Sequence, residues 1–128
     1  MTVDIRPIPR PGWDPLPFEG CVGVVGRVLV REDTYFVAQL RFSEHATIHE
    51  HPGDNDTIVV CLEGEGYTSV AGETAALREG EQVRWPKGVP HRLWTEDSTM
   101  TTLMVEHFGQ PPGNSFGNAT GLSSAKRA

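Results

Sequence analysis

The chain of 128 residues has little of what marks several large classes of protein. It has two cysteines, Cys21 and Cys61, which are too few for a disulfide framework. No apolar run approaches the length of about 18 residues that a membrane-spanning helix needs. The opening residues contain no basic segment followed by an apolar one, so we expect no secretory signal. These absences predict a cytoplasmic protein that has no membrane partner.

Basic residues are also scarce. Eleven Lys and Arg against 17 Asp and Glu give a formal net charge of -6. A protein that coats nucleic acid needs a basic surface to neutralise phosphates, so the charge balance argues against nucleic acid as a partner. Hydrophobic residues make up 38% of the chain, which suits one globular domain and argues against wholesale disorder.

Short apolar segments separated by turn residues fill the middle of the chain. Residues 1–21 are rich in proline, so we expect an extended arm there. Residues 22–108 show repeated strand patterns and no useful period of 3.6 residues. Residues 109–128 are rich in Gly, Pro, Asn and Ser, which predicts an irregular tail. The pattern therefore predicts an all-β sandwich or barrel between an arm and a tail.

The strand pattern leaves one choice of face open. In the segment 34–42, Phe36 and Leu40 share one face, and Gln39 and Arg41 share the other, so either face can be the interior one. A dense cluster of Gly and Glu at residues 63–66 predicts a turn. The predicted strands are residues 22–31, 34–42, 47–51, 57–62, 67–71, 72–77, 82–85, 90–94 and 99–108.

Histidine is the unusual residue type, because three of the five histidines fall between residues 45 and 51. His49 and His51 form a His-x-His pair on a predicted strand, so their side chains share a face and their Cα atoms lie about 6.6 Å apart. Two imidazoles at that spacing can bind one ion through bonds of about 2.0–2.1 Å. His45 is on the same face but about 13 Å from His49 along the strand, so we expect it to lie at the rim of the site or to have a packing role. The pair alone is a weak signal, because two polar residues on a solvated strand have the same pattern.

The segment from Gly80 to His91 is the stronger signal. It has the form G-x5-P-x-G-x2-H, whose chance occurrence at this composition is below about one per cent. Its glycines and proline predict two tight reversals before a strand that begins at His91. Such a hairpin can bring a third imidazole to the His-x-His pair.

Together the two segments resemble the motifs of the cupin superfamily. The first cupin motif, G-x5-H-x-H-x3,4-E-x6-G, is similar to the stretch from His49 to Gly64, and the second, G-x5-P-x-G-x2-H-x3-N, is similar to the stretch that starts at Gly80. The resemblance covers about residues 22–108. It implies a small jelly-roll β-barrel (a double-stranded β-helix), commonly a homodimer, with a metal held inside.

The first motif departs from the family pattern. Its opening glycine is missing, and counting back from its last glycine places Thr57 where the motif has glutamate. A threonine hydroxyl is a poor ligand for a divalent metal, and Asp56 is one residue away, where a β-bulge can turn its carboxylate inward. The resemblance therefore implies the ligands His49, His51 and His91, with Asp56 or Thr57 as alternatives for a fourth.

Three imidazoles suit one divalent transition metal per chain. Fe, Zn, Ni and Cu fit a neutral nitrogen set, whereas an added carboxylate shifts the preference toward Mn. Open coordination positions allow a small organic molecule or dioxygen to bind, so we first expect a dioxygenase-type oxidoreductase acting on a small-molecule substrate.

Other functions remain open, because a fold does not decide a reaction. One is a non-catalytic cupin that binds a metal or small ligand as a sensor or storage module. Another is a metal-free isomerase or epimerase in which histidines act as acid and base. His107 shares a strand face with Leu103 and Val105. It is a candidate general base near the barrel mouth, or it simply caps the end of the strand in solvent.

Overall fold

A computed structural model describes residues 2–109 as β-strands joined by turns and loops. Most of the predicted tail, residues 110–128, lies outside the described residues. No helix in the described range is long and apolar enough to cross a membrane. The strands of this range are β1 (Arg10–Pro15), β2 (Cys21–Arg31), β3 (Tyr35–Pro52), β4 (Asp56–Val70), β5 (Glu73–Arg78), β6 (Gln82–Trp85), β7 (Pro90–Trp94) and β8 (Met100–His107).

Two long strands, β3 and β4, run through both layers of the barrel. In the first layer the beginnings of β3 and β4 both pair with β8, and β2 and β6 lie on the outer sides. In the second layer the ends of β3 and β4 both pair with β7, and β5 lies beside β4. Every pair is antiparallel. The predicted all-β jelly-roll fold is confirmed.

The hydrophobic core lies between the two layers. Along each strand that lines it, every second side chain points into the core. Val59 of β4 and Leu93 of β7 are completely buried. Leu40 and Phe42 are buried as well, so the even-numbered face of β3 is the interior one. Arg41 belongs to the outer face of the same strand, where its side chain is exposed.

Part of the proline-rich arm belongs to the sheet. Strand β1 pairs with β2, and its Trp13 side chain lies against two arginines of the outer face. The guanidinium carbons of Arg27 and Arg41 are 4.8 and 3.9 Å from the Trp13 ring centroid. These cation-π contacts hold the arm against the body of the barrel.

Two predicted interruptions of the strands are wrong. Strand β4 continues through residues 63–66, where the sequence predicts a turn, and β3 continues through the gap predicted at residues 43–46. Gly64 and His45 have φ angles of 76° and 56°. A single left-handed residue bends a strand without ending it, so each strand passes from one layer to the other.

The bend in β3 is held by Thr95, which stands at the asparagine position of the second motif. The Thr95 hydroxyl donates to the carbonyl oxygen of Ser43 at 2.5 Å and accepts from the amide of Ala46 at 3.0 Å. The Thr95 amide also donates to the Ala46 carbonyl oxygen at 2.9 Å. One buried side chain therefore satisfies the backbone on both sides of the bend.

The bend in β4 predicts a large effect for one glycine substitution. A Cβ atom at Gly64 would collide with the carbonyl oxygen of Thr99, whereas a Cβ atom at Gly72, with φ 84°, would meet nothing within 4 Å. We expect Gly64→Ala to lower the free energy of unfolding by about 3 kcal/mol or more, and Gly72→Ala by only about 1 kcal/mol. Urea unfolding followed by tryptophan fluorescence measures both, and equal losses would contradict the bend described here.

Candidate metal centre

The pairing of β3 with β7 brings the two histidine segments together. His51 lies directly opposite His91, and Ile48 lies directly opposite Leu93. The register shifts by one residue between these pairs, so Ile48 and His51 both face buried residues of β7 although they are three positions apart. This β-bulge includes His49. The sequence predicts that side chains alternate regularly between the two faces through the His-x-His pair, and the bulge interrupts that alternation.

The rings of His49, His51 and His91 lie side by side. The ring centroids are 5.2 Å apart for His49 and His51, and 4.6 Å apart for His51 and His91. In a tetrahedral site, two imidazoles bound through bonds of about 2.0–2.1 Å have centroids about 5 Å apart. The separations of the His49–His51 and His51–His91 rings are close to that value.

One nitrogen of two of these rings is directed at a backbone carbonyl. The Nδ1 atom of His51 is 2.9 Å from the carbonyl oxygen of His49, and the Nδ1 atom of His91 is 3.2 Å from that of Val89. Metal-binding histidines usually donate their second N–H to such a partner, which orients the ring. The Nε2 atoms of His51 and His91 are therefore the candidate ligand atoms, and this donor type fits a divalent transition metal.

Two glycines allow loops to approach the imidazoles closely. A Cβ atom at Gly53 would lie 2.9 Å from Cε1 of His91, and a Cβ atom at Gly20 would collide with Nδ1 of His49. Larger side chains at these positions would push the rings away. Gly20 also has a φ of 86°, which favours glycine on conformational grounds.

In their present rotamers, the three histidine rings do not surround a common point. Among residues 2–109, no three His, Cys, Asp or Glu side chains stand in an arrangement that holds a metal ion. His49 is exposed, His51 is half-buried and His91 is buried, so the ring of His49 has the most room to rotate.

His91 is the most enclosed ring of the three. Its side chain is 3% exposed and stacks on Trp85, with ring centroids 3.9 Å apart and planes 8° apart. Burial, together with the neighbouring His51, lowers the pKa of His91 from 6.5 to about 4. His91 is therefore neutral near pH 7, which is the form of histidine that binds metals.

Trp85 is itself held in place by a short chain of hydrogen bonds. Its Nε1 atom donates to the Thr68 hydroxyl at 3.1 Å, and that hydroxyl donates to the Arg92 carbonyl oxygen at 2.9 Å. The contact of Trp85 with His91 depends on the positions of β6 and β7, which a linear pattern does not contain.

The two residues considered for a fourth ligand lie in different surroundings, although both are buried. Asp56 Oδ1 accepts a hydrogen bond from the Lys87 amide at 2.8 Å, so this carboxylate holds the turn that precedes β7. Thr57 is in phase with the buried Val59, and its hydroxyl donates to the Asn55 carbonyl oxygen at 3.4 Å. Thr57 therefore lies on the interior face of β4, whereas the Asp56 carboxylate is hydrogen-bonded to a backbone amide.

The end of β8 carries two titratable side chains, His107 and Glu106. His107 lies opposite Asp56 and Tyr35. The completely buried residue of this strand is Thr102, so strand alternation gives Glu106 the interior phase and His107 the outer one. Counting every second residue from Thr102 reaches Glu106, which the sequence pattern alone does not single out.

A comparison with models of protein families matches residues 37–106 to the Cupin domain family, Cupin_2. The chain belongs to this family. The resemblance that the two histidine motifs indicate is therefore confirmed, and the matched range lies inside the predicted barrel.

Solved cupin structures superpose on most of the chain. The polyketide cyclase RemF from Streptomyces resistomycificus has a TM-score of 0.72 and 20% identity, over 88% of this chain and 83% of that one. KdgF from Halomonas sp. has a TM-score of 0.67 and 16% identity, over 77% and 89%. An RmlC-like cupin from Shewanella frigidimarina has a TM-score of 0.64 and 17% identity, over 69% and 78%. At these identities the likeness shows the fold alone, and a comparison with curated proteins gave no match.

The burial of His91 predicts an acid-sensitive stability for the metal-free cupin. The unfolded chain binds a proton at this residue near pH 6.5, whereas the folded chain does so only near pH 4. Stability contributed by neutral His91 is therefore complete above about pH 6.5 and is lost as the pH falls toward about 4, by up to about 3 kcal/mol.

Urea unfolding at about pH 7 and about pH 4, after removal of metal with a chelator, measures this loss. We expect His91→Gln to lose less stability on acidification than the unsubstituted protein. His45→Gln is the matched control, because the His45 side chain is 71% exposed. An identical acid loss in all three proteins would contradict the role given to His91.

Proposed function

We propose that this cupin binds one divalent transition metal through His49, His51 and His91, and acts there on a small organic molecule. The observation that carries the proposal is the β3–β7 pair, in which His51 lies opposite His91 and the Nδ1 atom of each ring is directed at a backbone carbonyl. This arrangement leaves the Nε2 atoms for a ligand.

A metal bound there would supply Lewis-acid chemistry or the activation of dioxygen. The residues of the chain define what else the site can do. His91 is neutral near pH 7 and is covered on one ring face by Trp85, so water is excluded from that side. His49 is exposed and therefore marks the open side, from which a small molecule enters. Neutral imidazoles leave the charge of a cation uncompensated, so the site favours a molecule that binds as an anion.

The reaction class that we propose first is the oxidation of a small organic molecule by dioxygen with Fe(II). Three nitrogen ligands with open positions suit that metal and that chemistry. The Thr57 hydroxyl donates a hydrogen bond to the Asn55 carbonyl oxygen instead of binding the metal. Coordination positions of the metal therefore stay open for a substrate.

A second candidate is a cyclisation or isomerisation that needs no dioxygen. The likeness to the polyketide cyclase RemF over 88% of this chain favours it. A metal-free version of such a reaction is less favoured, because His91, with a pKa of about 4, is a weak proton acceptor near neutral pH. A non-catalytic binding module is a further outcome of the tests below. The expected homodimer and the cytoplasmic location stay predictions.

Metal content tests the binding site directly. Protein purified without a histidine tag should contain about one divalent metal ion per chain, and His49→Ala and His91→Ala should contain far less. His45→Ala should retain the metal, because this exposed residue lies outside the ring group. Elemental analysis of the four proteins measures this, and equal metal content in all of them would contradict the proposed site.

Oxygen uptake tests the reaction class. We expect protein loaded anaerobically with Fe(II) to consume dioxygen when a phenolic or thiol compound of a broad panel is added, and His91→Ala to consume none above background. Conversion of a compound without oxygen uptake would favour the second candidate. Binding without conversion across the panel would favour the non-catalytic module and contradict the proposed oxidation.

A further inference from the structure

A cleft lies between β5 and β6, away from the strands that carry the histidines. Its volume is about 460 Å³, which is within the range of about 300–1,000 Å³ of small-molecule pockets. The lining comes from β4, β5, β6 and the turn before β6, whereas the three histidines of the candidate metal centre come from β3 and β7. The lining includes Thr68, Ala75, Leu77, Glu81, Gln82 and Val83.

The walls of this cleft are apolar side chains that the barrel leaves uncovered. Ala75 lies directly opposite the buried Thr68 and two residues from the buried Leu77, so it has the interior phase, yet it is exposed. Val83 lies directly opposite the completely buried Val59 but is only half-buried. Interior positions of a two-layer fold are normally covered by the facing layer. Here the two layers leave an apolar hollow that is open to solvent.

One carboxylate in the lining, that of Glu81, is held in a fixed position. Its Oε1 atom accepts a hydrogen bond from the Arg78 amide at 2.9 Å, which leaves Oε2 for a ligand. Glu81 is exposed, and the chain has a net charge of -6. A negative group at the edge of an apolar hollow is complementary to a cation that is attached to an apolar body.

The strand edges at the cleft are less suited to an added peptide strand. Among the strands of residues 2–109, β5 and β6 each pair with β4 alone, so each has a free edge. Strand β6, however, has only four residues, and a peptide that extends a sheet is held mainly by its main-chain hydrogen bonds. The compact hollow therefore favours a small molecule.

From this geometry we infer that the cleft is a second binding site, which takes a small organic amine. The apolar body of the amine lies among Ala75, Leu77 and Val83, and its protonated amino group pairs with Glu81. The inference does not depend on the proposed metal centre.

Thr68 gives the site a spectroscopic signal. Its hydroxyl accepts a hydrogen bond from Trp85 Nε1 at 3.1 Å, so a molecule in the cleft lies one side chain away from that indole. The indole N–H resonance of Trp85 should therefore shift when the cleft is occupied. The indole of Trp13 lies against Arg27 and Arg41 on the outer face and serves as an internal reference.

An NMR titration of the full-length protein with benzylamine tests the site. We expect saturable shifts of the cleft amides and of the Trp85 indole, with a dissociation constant of about 1 mM. Benzyl alcohol and benzoate, which have similar size and a different charge, should bind at least about tenfold more weakly. The constant for benzylamine should be the same with and without Zn(II), because the lining lies apart from the histidines.

Three variants separate the charge from the hollow. Glu81→Gln keeps an oxygen for the Arg78 amide and removes the charge, so benzylamine should bind about tenfold more weakly and benzyl alcohol as before. Glu79→Gln, which removes an exposed neighbouring carboxylate, should leave both constants unchanged. Ala75→Leu fills the hollow and should weaken the binding of all three probes.

Several results would overturn the inference. They are the absence of saturable shifts, equal affinity for the three probes, undiminished binding by Ala75→Leu, and benzylamine binding that requires Zn(II). A lower sedimenting mass for Ala75→Leu or Glu81→Gln than for the unsubstituted protein would overturn it too, because a second copy of the chain would then be the occupant of the cleft.

Discussion

The hydrogen-bonded ladder between β3 and β7 is the interaction on which the candidate site depends. It sets His51 opposite His91, and it closes the second layer, because β7 lies between the ends of β3 and β4. The backbone positions of both histidines are thus set by paired strands, and a bound ion would find its ligands on rigid elements. A one-residue bulge in this ladder keeps both Ile48 and His51 on the side of the buried residues of β7.

Hydrogen bonds at the ends of the two motifs hold them in that register. Next to the site, the amide of Gly88 donates to the Gly53 carbonyl oxygen at 2.8 Å, and the amide of Lys87 donates to Asp56 at the same distance. They join the loop after His51 to the turn before His91. At the far end of β7, Thr95 satisfies the backbone of the β3 bend. Asp56 and Thr95 thus contribute to the site through the backbone that they hold.

Local patterns predict much of this molecule, and the remainder depends on pairing between distant strands. Alternation and turn residues predict the all-β class, and motif spacing predicts a group of three histidines, of which His51 and His91 lie directly opposite each other. Gly64 shows one limit, because a glycine inside a bent strand has the same sequence signature as a glycine in a turn. Glu106 shows another. Its nearness to Thr57 follows from the register between β8 and β4, about which neither strand's own pattern carries information.

The proposed site requires that His49, His51 and His91 share one metal ion. An anomalous-difference map from crystals grown with Zn(II), recorded at the zinc absorption edge, tests it most directly. We expect one peak per chain, inside the barrel, at about 2.0–2.1 Å from a ring nitrogen of each of the three histidines. No peak at this position, or zinc held only by exposed residues such as His45 and Asp97, would contradict it.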